Sequence, residues 1–516
     1  MRRLAAGGLV AVLALTACAV PTDVDWRPPT WPAPHVSVVE VPAPIEAASV
    51  PGLVGERIRN DDVRVQSRWM RLPGVPVVEE VALPAVRAAI DGQEAATGDV
   101  YSPQVFDADA GLGDRDCVTG STLLPAADVL ADPALGPVGG SGTAVVCDVV
   151  VAAGAMIGQR IRTVTGTAGE VTADATTLRY IDVDDGRLIA PAALWADGAA
   201  DRLWEDVVDA IRREAGSLSL APVTPPDEEA VVLLDAALAT TVPAADGSLV
   251  VTIPAGFRAP ELEALGIAAT TDPVAVAVAP PRSAELVSGT GADLVSAVVA
   301  AAPFTAPAGP PEGAREVDCE LHPCVSLTYD DGPSQWTSAI LDAAREHDAG
   351  LTFFALGQKA AGWAETLSRA TAEGHLVENH TWNHPDLTTL EPEEVRAQIG
   401  DTTVALRTAS GEAVRAFRPP YGEWNREVLQ EAGLPAILWD VDTEDWKQIS
   451  DDELLRRAVT QPRPGSIVLQ HDIHANTGRT VDAVMSGLRD RGFVLVTVQQ
   501  LFGGAFPGGG AWQSAR

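Results

Sequence analysis

The sequence predicts an α/β protein whose C-terminal third is a parallel (β/α)7 barrel, preceded by an α+β domain. Three observations carry this. From Val325 onward, seven short apolar runs alternate with stretches of helical periodicity. Between Gly52 and Val299, strand-like and helix-like patterns occur without that strict alternation. A Pro/Ala/Gly-rich segment over residues 301–316 separates the two regions, and at 516 residues the chain exceeds what one hydrophobic core usually organises.

The N-terminus reads as an address. Arg2 and Arg3 precede an apolar stretch, Leu4 to Leu15, too short to span a bilayer stably. It ends in Leu15-Thr16-Ala17-Cys18, which resembles the bacterial lipobox. Residues 1–18 are therefore expected to be a lipoprotein signal with Cys18 as the lipid attachment site. That implies an exported protein, anchored to the membrane and facing the cell wall. A plain signal peptide that contains Cys18 is the alternative. Residues 19–51, with Arg27-Pro28-Pro29 and Trp31-Pro32-Ala33-Pro34, read as a semi-extended tether.

In the 52–300 region, alternation over Thr143–Val151 and Thr177–Val183 predicts strands, the second followed by the turn signal Asp184-Asp185-Gly186. Helical spacing places Leu203, Val207, Val208 and Ile211 on one face between Ala199 and Glu214, and a second helix is expected over Glu228–Leu238. Tyr180-Ile181-Asp182, Gly186-Arg187-Leu188 and Asp246-Gly247-Ser248-Leu249 resemble the extracellular domain of some anti-sigma factors, which implies wall-associated ligands. A folded spacer is the other reading.

Strands are expected at 325–329, 351–355, 375–379, 414–418, 436–440, 466–470 and 493–497, with a helix at 392–408 opened by Pro392-Glu393-Glu394. The domain is expected over 317–503 and a loose tail over 504–516. Apart from Cys18 the cysteines number four, which in an exported chain favours disulfides: Cys319 with Cys324 across a short turn, and by subtraction Cys117 with Cys147. Free buried thiols are the alternative.

A formal net charge of −35, with Lys359 and Lys447 the only lysines, excludes nucleic acid as a partner and fits a neutral polymer. The chemistry falls at the strand ends, where active residues of such barrels sit. Asp330-Asp331-Gly332-Pro333 offers two diverging carboxylates on a sharp turn. His380 and His384, four apart, are expected on one side of a helical turn; with Asp331 they make three N/O ligands with open positions, as in a catalytic zinc site. Arg418-Pro419-Pro420-Tyr421 is a stiff loop with an arginine free to pair with a carboxylate and a fixed Tyr421 N–H. His471 stands beside a carboxylate that would keep it protonated, and Trp446 and Leu469 offer apolar surface of methyl size.

Taken in order, Thr328-Tyr329-Asp330-Asp331-Gly332-Pro333, His380-Thr-Trp-Asn-His384-Pro385, Arg418-Pro-Pro-Tyr421-Gly, Asp442-Thr-Glu-Asp445-Trp446 and Leu469-Gln-His471 resemble the five motifs of the polysaccharide deacetylase family, the NodB-homology or carbohydrate esterase family 4 domain, over about 319–503. The resemblance implies a distorted (β/α)7 barrel, with Asp330 as general base oriented by Arg418 and a divalent ion, usually Zn2+, on Asp331, His380 and His384. It also implies the Tyr421 N–H as oxyanion donor, His471 as general acid tuned by Asp442, and Trp446, Leu469 and Pro420 around the acetyl group. Tyr329 stands where phenylalanine is commoner, ahead of the carboxylates. The implied substrate is an N-acetylated polysaccharide, peptidoglycan first. Chitin oligomers, O-acetylated glycans or a sugar-holding wall sensor are the competing readings.

Overall fold

A computed structural model describes residues 34–217, 219 and 221–515. The expected export signal, Cys18 and the first part of the expected tether lie outside these residues. The chain is a mixed α/β protein. Among the described residues, ten strands precede the linker: β1 (Val36–Val38), β2 (Val54–Asn60), β3 (Val65–Arg71), β4 (Ser141–Ala153), β5 (Met156–Thr167), β6 (Glu170–Asp182), β7 (Arg187–Ile189), β8 (Val242–Pro243), β9 (Leu249–Ile253) and β10 (Val274–Val278).

They form two sheets, β1-β10-β9-β8 and β2-β3-β4-β5-β6-β7. The expected strands over Thr143–Val151 and Thr177–Val183 fall within β4 and the β6 end, where Gly186 at φ 67° turns the chain into β7. Helix Ala199–Glu214 buries Leu203, Val207, Val208 and Ile211, the face its spacing marks. These side chains share one core with Val150 and Tyr180 of the larger sheet and Leu249 and Val276 of the smaller. The tether expected up to residue 51 ends earlier. Val36–Val38 pairs antiparallel with Val276–Val278, Ile45 bridges Val149, and Ala47 and Val50 are buried. A three-residue edge strand needs only one inward side chain, Val36, and so leaves no periodic trace in the sequence.

The C-terminal region adds β11 (Cys324–Asp330), β12 (Leu351–Ala355), β13 (Leu376–Asn379), β14 (Ala436–Ile437), β15 (Val441–Asp442), β16 (Ser466–His471), β17 (Val494–Leu495) and β18 (Ala511–Trp512). The parallel order is β13-β12-β11-β16-β15, and β17 joins the start of β11 at Cys324 and Val325. Beyond β13, Asn379 bridges Phe417, and Phe417 bridges Ala436 of β14. The chain then crosses through Asp440, whose N–H donates to Ile467 O, into β15 on β16. Parallel pairing thus runs from β15 through β16, β11 and β12 to β13 and on by single bridges to β14, with helices such as Pro392–Ser410 between the strands.

Two expected strands are altered. The 414–418 segment pairs only at Phe417 because the Glu378 carboxylate takes the N–H groups of Arg415 and Ala416 (2.7 and 2.9 Å), while Pro419 and Pro420 have none to offer. The 436–440 strand is split into β14 and β15, since this segment leaves one neighbour for another. Residues 504–515 do not form the loose tail expected for this end of the chain. Ala511–Trp512 extends β14 and Ser514 bridges Ser466, satisfying backbone groups that a free edge would expose.

The linker is packed rather than free, with Phe304 buried and Thr305 N–H donating to Gly154 O (3.0 Å). The two regions also touch directly. Arg115 Nη2 donates to Phe493 O (2.5 Å), and Phe106 and Arg491 exchange hydrogen bonds, N–H to O (3.0 Å) and Nε to O (2.7 Å). Cys117 is bonded to Cys147 and Cys319 to Cys324. Because Arg491 also serves the carbonyls of Val459 and Pro462, Arg491→Ala should leave three carbonyls without their donor and cost roughly 2–4 kcal/mol. Denaturant unfolding measures this; an unchanged midpoint would mean that the contact between the regions contributes nothing.

Candidate active site

The C-terminal ends of β11, β13, the Phe417 segment, β15 and β16 bring the motif residues to one rim. Asp330 closes β11, and Asp331 follows in the left-handed region (φ 70°). Gly332 is required by space: a Cβ there would lie 2.1 Å from Asp472 Oδ1. Asp472 is fully buried, accepts from Thr337 Oγ1, and its carboxyl is pushed up by burial to about 7.

β13 delivers His380, whose Nδ1 lies 2.7 Å from Arg418 O. A carbonyl can only accept, so Nδ1 carries the proton and Nε2 presents its lone pair inward. Nε2 of His380 is 3.6 Å, and Nε2 of His384 3.5 Å, from Asp331 Oδ1, and the three ligand atoms all lie within 4.8 Å of one another. Ligands about 2.0–2.1 Å from a tetrahedral ion stand roughly 3.3 Å apart, so the set has the spacing of a metal site. Burial lowers His380 to about 3 despite Asp331 nearby, which keeps the imidazole neutral, as a ligand must be. The helical turn expected for this pair is absent. Thr381 (φ 68°) and His384 (φ 66°) bend the loop instead, held by Asn379 Oδ1 accepting from Thr381 N–H and Gln398 Oε1 accepting from Trp382 N–H, both 2.8 Å.

Arg418 is fully buried and spans the site. Its Nη1 donates to Asp330 Oδ1 (2.8 Å) and Thr328 Oγ1 (2.7 Å), its Nε and Nη2 to Ile437 O and Leu438 O (2.9 Å each), and its guanidinium lies 4.2 Å from the Phe354 ring centre. Burial raises the Asp330 carboxyl, and the Arg418 charge offsets only part of that rise. The arrangement suits a base.

The partner of His471 differs from the expected one. Its Nδ1 is 2.8 Å from Asp445 Oδ1, and its N–H donates to Asp445 Oδ2 (2.6 Å). Asp442 instead accepts from Glu444 N–H (2.8 Å). Glu444 turns left-handed (φ 57°) and sends Asp445 inward, a reversal that motif spacing does not encode. Burial alone would lower His471, but the hydrogen bond and charge of Asp445 raise it to about 9.

Tyr421 (φ 62°) is largely exposed and sets its ring edge-on to His384, 4.6 Å between centres. Pro420 and Leu469 are buried, and Trp446, directly after Asp445, is half exposed. The residues brought into mutual contact are Asp330, Asp331, His380, His384, Arg418 and Tyr421, with the His471–Asp445 pair beside them. Sequence reasoning missed the roles of Asp445, Asp472 and Gln398; Asp445 and Asp472 lie within or directly beside the motif residues, whereas Gln398 lies on the helix opened by Pro392.

Residues 318–436 match the polysaccharide deacetylase family. A peptidoglycan-N-acetylglucosamine deacetylase of Listeria monocytogenes is 39% identical over 180 residues, which are 35% of this chain and 39% of that protein. A peptidoglycan-N-acetylmuramic acid deacetylase of Bacillus subtilis is 39% identical over 178 residues, 34% of this chain and 38% of that one. A chitooligosaccharide deacetylase of Sinorhizobium fredii is 36% identical over 196 residues, 34% of this chain and 91% of that one. The chain belongs to the polysaccharide deacetylase family. It spans about two fifths of the length of the first two relatives.

His471 should stay protonated at neutral pH and lose its proton only as pH rises through about 9. Asp445→Asn removes a charge and weakens a hydrogen bond that together oppose the effect of burial, so the His471 titration should move to lower pH, whereas Asp442→Asn should leave it in place. NMR titration of the His471 ring in chelator-treated protein decides between the two carboxylates. A shift caused by Asp442→Asn alone would reverse the assignment.

Proposed function

We propose that the chain is a metal-dependent hydrolase that removes N-linked acetyl groups from a polysaccharide, with peptidoglycan N-acetylglucosamine or N-acetylmuramic acid as substrate. The observation that carries this is the convergence of Asp331, His380 and His384 beside the buried Asp330–Arg418 pair. Two N-donors and one carboxylate suit Zn2+, which supplies Lewis-acid polarisation and acidifies water when bound there.

The protein's own groups do the rest. Asp330, oriented by Arg418, takes the proton of the attacking water. As the carbon–oxygen bond forms, the Tyr421 N–H donates to the developing oxyanion. Leu469, Trp446 and Pro420 enclose the acetyl methyl. Protonated His471, held by Asp445, gives its proton to the departing nitrogen as the carbon–nitrogen bond breaks. The products are acetate and a free amine, so atoms and protons balance.

The parallel strands from β14 through β13, β12, β11 and β16 to β15 are read as a distorted (β/α)7 barrel, with the rim residues at its C-terminal end. Cys18 is the lipid attachment site, and the anchored chain faces the wall. No helix among the described residues is long and apolar enough to cross a membrane. Residues 52–300 correspond to the domain that resembles the anti-sigma extracellular module, set against the hydrolase as its wall-facing support. Chitin oligomers are the second substrate reading, favoured by the likeness to the Sinorhizobium chitooligosaccharide deacetylase along most of that protein's length.

Acetate release from intact peptidoglycan and from N-acetylglucosamine oligomers tests the reaction and ranks the substrates. Asp331→Ala and His380→Ala should lose metal and activity together. Asp330→Asn should keep the metal and lose turnover by about 10²–10⁴-fold. Full activity in either ligand variant removes the proposed site. In cell fractionation, Cys18→Ala should release the protein from the membrane; retention there sinks the lipoprotein assignment.

A further inference from the structure

Asp331, His380 and His384 stand on two loops that follow different strands, and both loops are held by one short segment, Leu356–Lys359, which follows β12. Its donors are taken in turn by those loops. Leu356 N–H donates to Gly332 O (3.1 Å), Gly357 N–H to Thr381 O (3.0 Å), Gln358 N–H to Trp382 O (3.1 Å), and the Lys359 ammonium to Asp331 O (2.8 Å). The first three are backbone N–H groups at the start of the helical turn Gly357–Ala360, where no intrahelical acceptor is available to them. The segment and the two loops thus satisfy one another's backbone groups. The approach is close: a Cβ on Gly357 would come within 2.5 Å of Thr402 Oγ1 and 2.6 Å of the Trp382 ring, so glycine is needed there.

The fourth bond differs from the others because a side chain makes it. Asp331 lies in the left-handed region (φ 70°), which a residue with a Cβ keeps only where its surroundings hold it. In that conformation its carbonyl meets Lys359, while its carboxylate Oδ1 lies 3.6 Å from Nε2 of His380 and 3.5 Å from Nε2 of His384. Gly332, the next residue, is held as well, packed against the Asp472 carboxyl. Lys359 makes no ion pair among the described residues, so its ammonium serves this carbonyl instead of a carboxylate.

We propose that Lys359 is a positioning residue for metal binding: by holding the Asp331 carbonyl it fixes the direction of the Asp331 carboxylate toward the two imidazoles. Its removal then weakens affinity for a divalent ion although every ligand is still present. The inference rests on the reading of Asp331, His380 and His384 as metal ligands. Partners that orient a ligand from behind are typically worth about 10- to 100-fold in metal affinity. Charge alone has the opposite sign, because an ammonium repels a nearby cation and its removal tightens binding. The sign of the change therefore separates positioning from electrostatics.

The test measures zinc affinity of the full chain by competition with a chromophoric chelator, together with acetate release at limiting and at saturating zinc. Lys359→Met should raise the zinc Kd by about 10- to 100-fold. Lys359→Arg should restore most of the affinity, since a guanidinium still donates to the carbonyl, and Lys447→Met, at the chain's only other lysine, should leave it unchanged. Excess zinc should return Lys359→Met to near-parental acetate release, a recovery that loss of folding does not allow. An unchanged or lower Kd in Lys359→Met, beside a parent that binds one zinc, overturns the positioning assignment and leaves the ligand set standing. Zinc binding that survives His380→Ala, or is missing in the parent, removes the ligand reading and this inference with it.

Discussion

One buried guanidinium holds the site together. Arg418 has no exposed surface, and in an apolar interior its charge must be paired and its donors satisfied. It meets that demand with Asp330 and Thr328 on β11 and with the carbonyls of Ile437 and Leu438, while its own carbonyl fixes the tautomer of His380 after β13. The proposed base, one proposed metal ligand and the chain crossing from β14 to β15 are therefore set by one residue. Lysine could not replace it, because a point-like ammonium does not present a planar fork of donors in these directions.

The rim is built from backbone that most residues avoid. Asp331, Thr381, His384, Tyr421 and Glu444 all have positive φ without being glycine. Each such residue costs about 1–3 kcal/mol and persists only where its surroundings over-determine it. Here Lys359 Nζ holds Asp331 O (2.8 Å), Asn379 and Gln398 hold the histidine loop, and Pro419 and Pro420 stiffen the approach to Tyr421. Strain is concentrated where side chains must turn toward a common centre, and the regular strands beneath supply the rigidity.

Environment then separates the titrations of like groups. Burial raises Asp330 and lowers His380, whereas Asp445 keeps His471 protonated against the same burial. Two histidines at one rim thus have opposite tendencies, one neutral and one charged, because one faces a carbonyl and the other a carboxylate. The larger N-terminal sheet is joined to this domain through Arg115, Phe106 and Arg491 and through the packed linker, so the rim is carried on a broad folded base.

Much of this was legible in one dimension. Regular alternation announced the C-terminal strands and helices, the apolar face of Ala199–Glu214 announced its burial, and Asp331, His380 and His384 announced by residue type a candidate ligand cluster that does converge, all of which depend on local periodicity and side-chain chemistry. Tertiary structure alone decided the rest. Asp445 rather than Asp442 reaches His471, Glu378 replaces a strand partner, Val36–Val38 and Ala511–Trp512 become strands, and the histidine pair sits on a bent loop instead of a helix. Each of these depends on what lies opposite in space, and a chain carries no local record of the partner that satisfies a distant backbone group or charge.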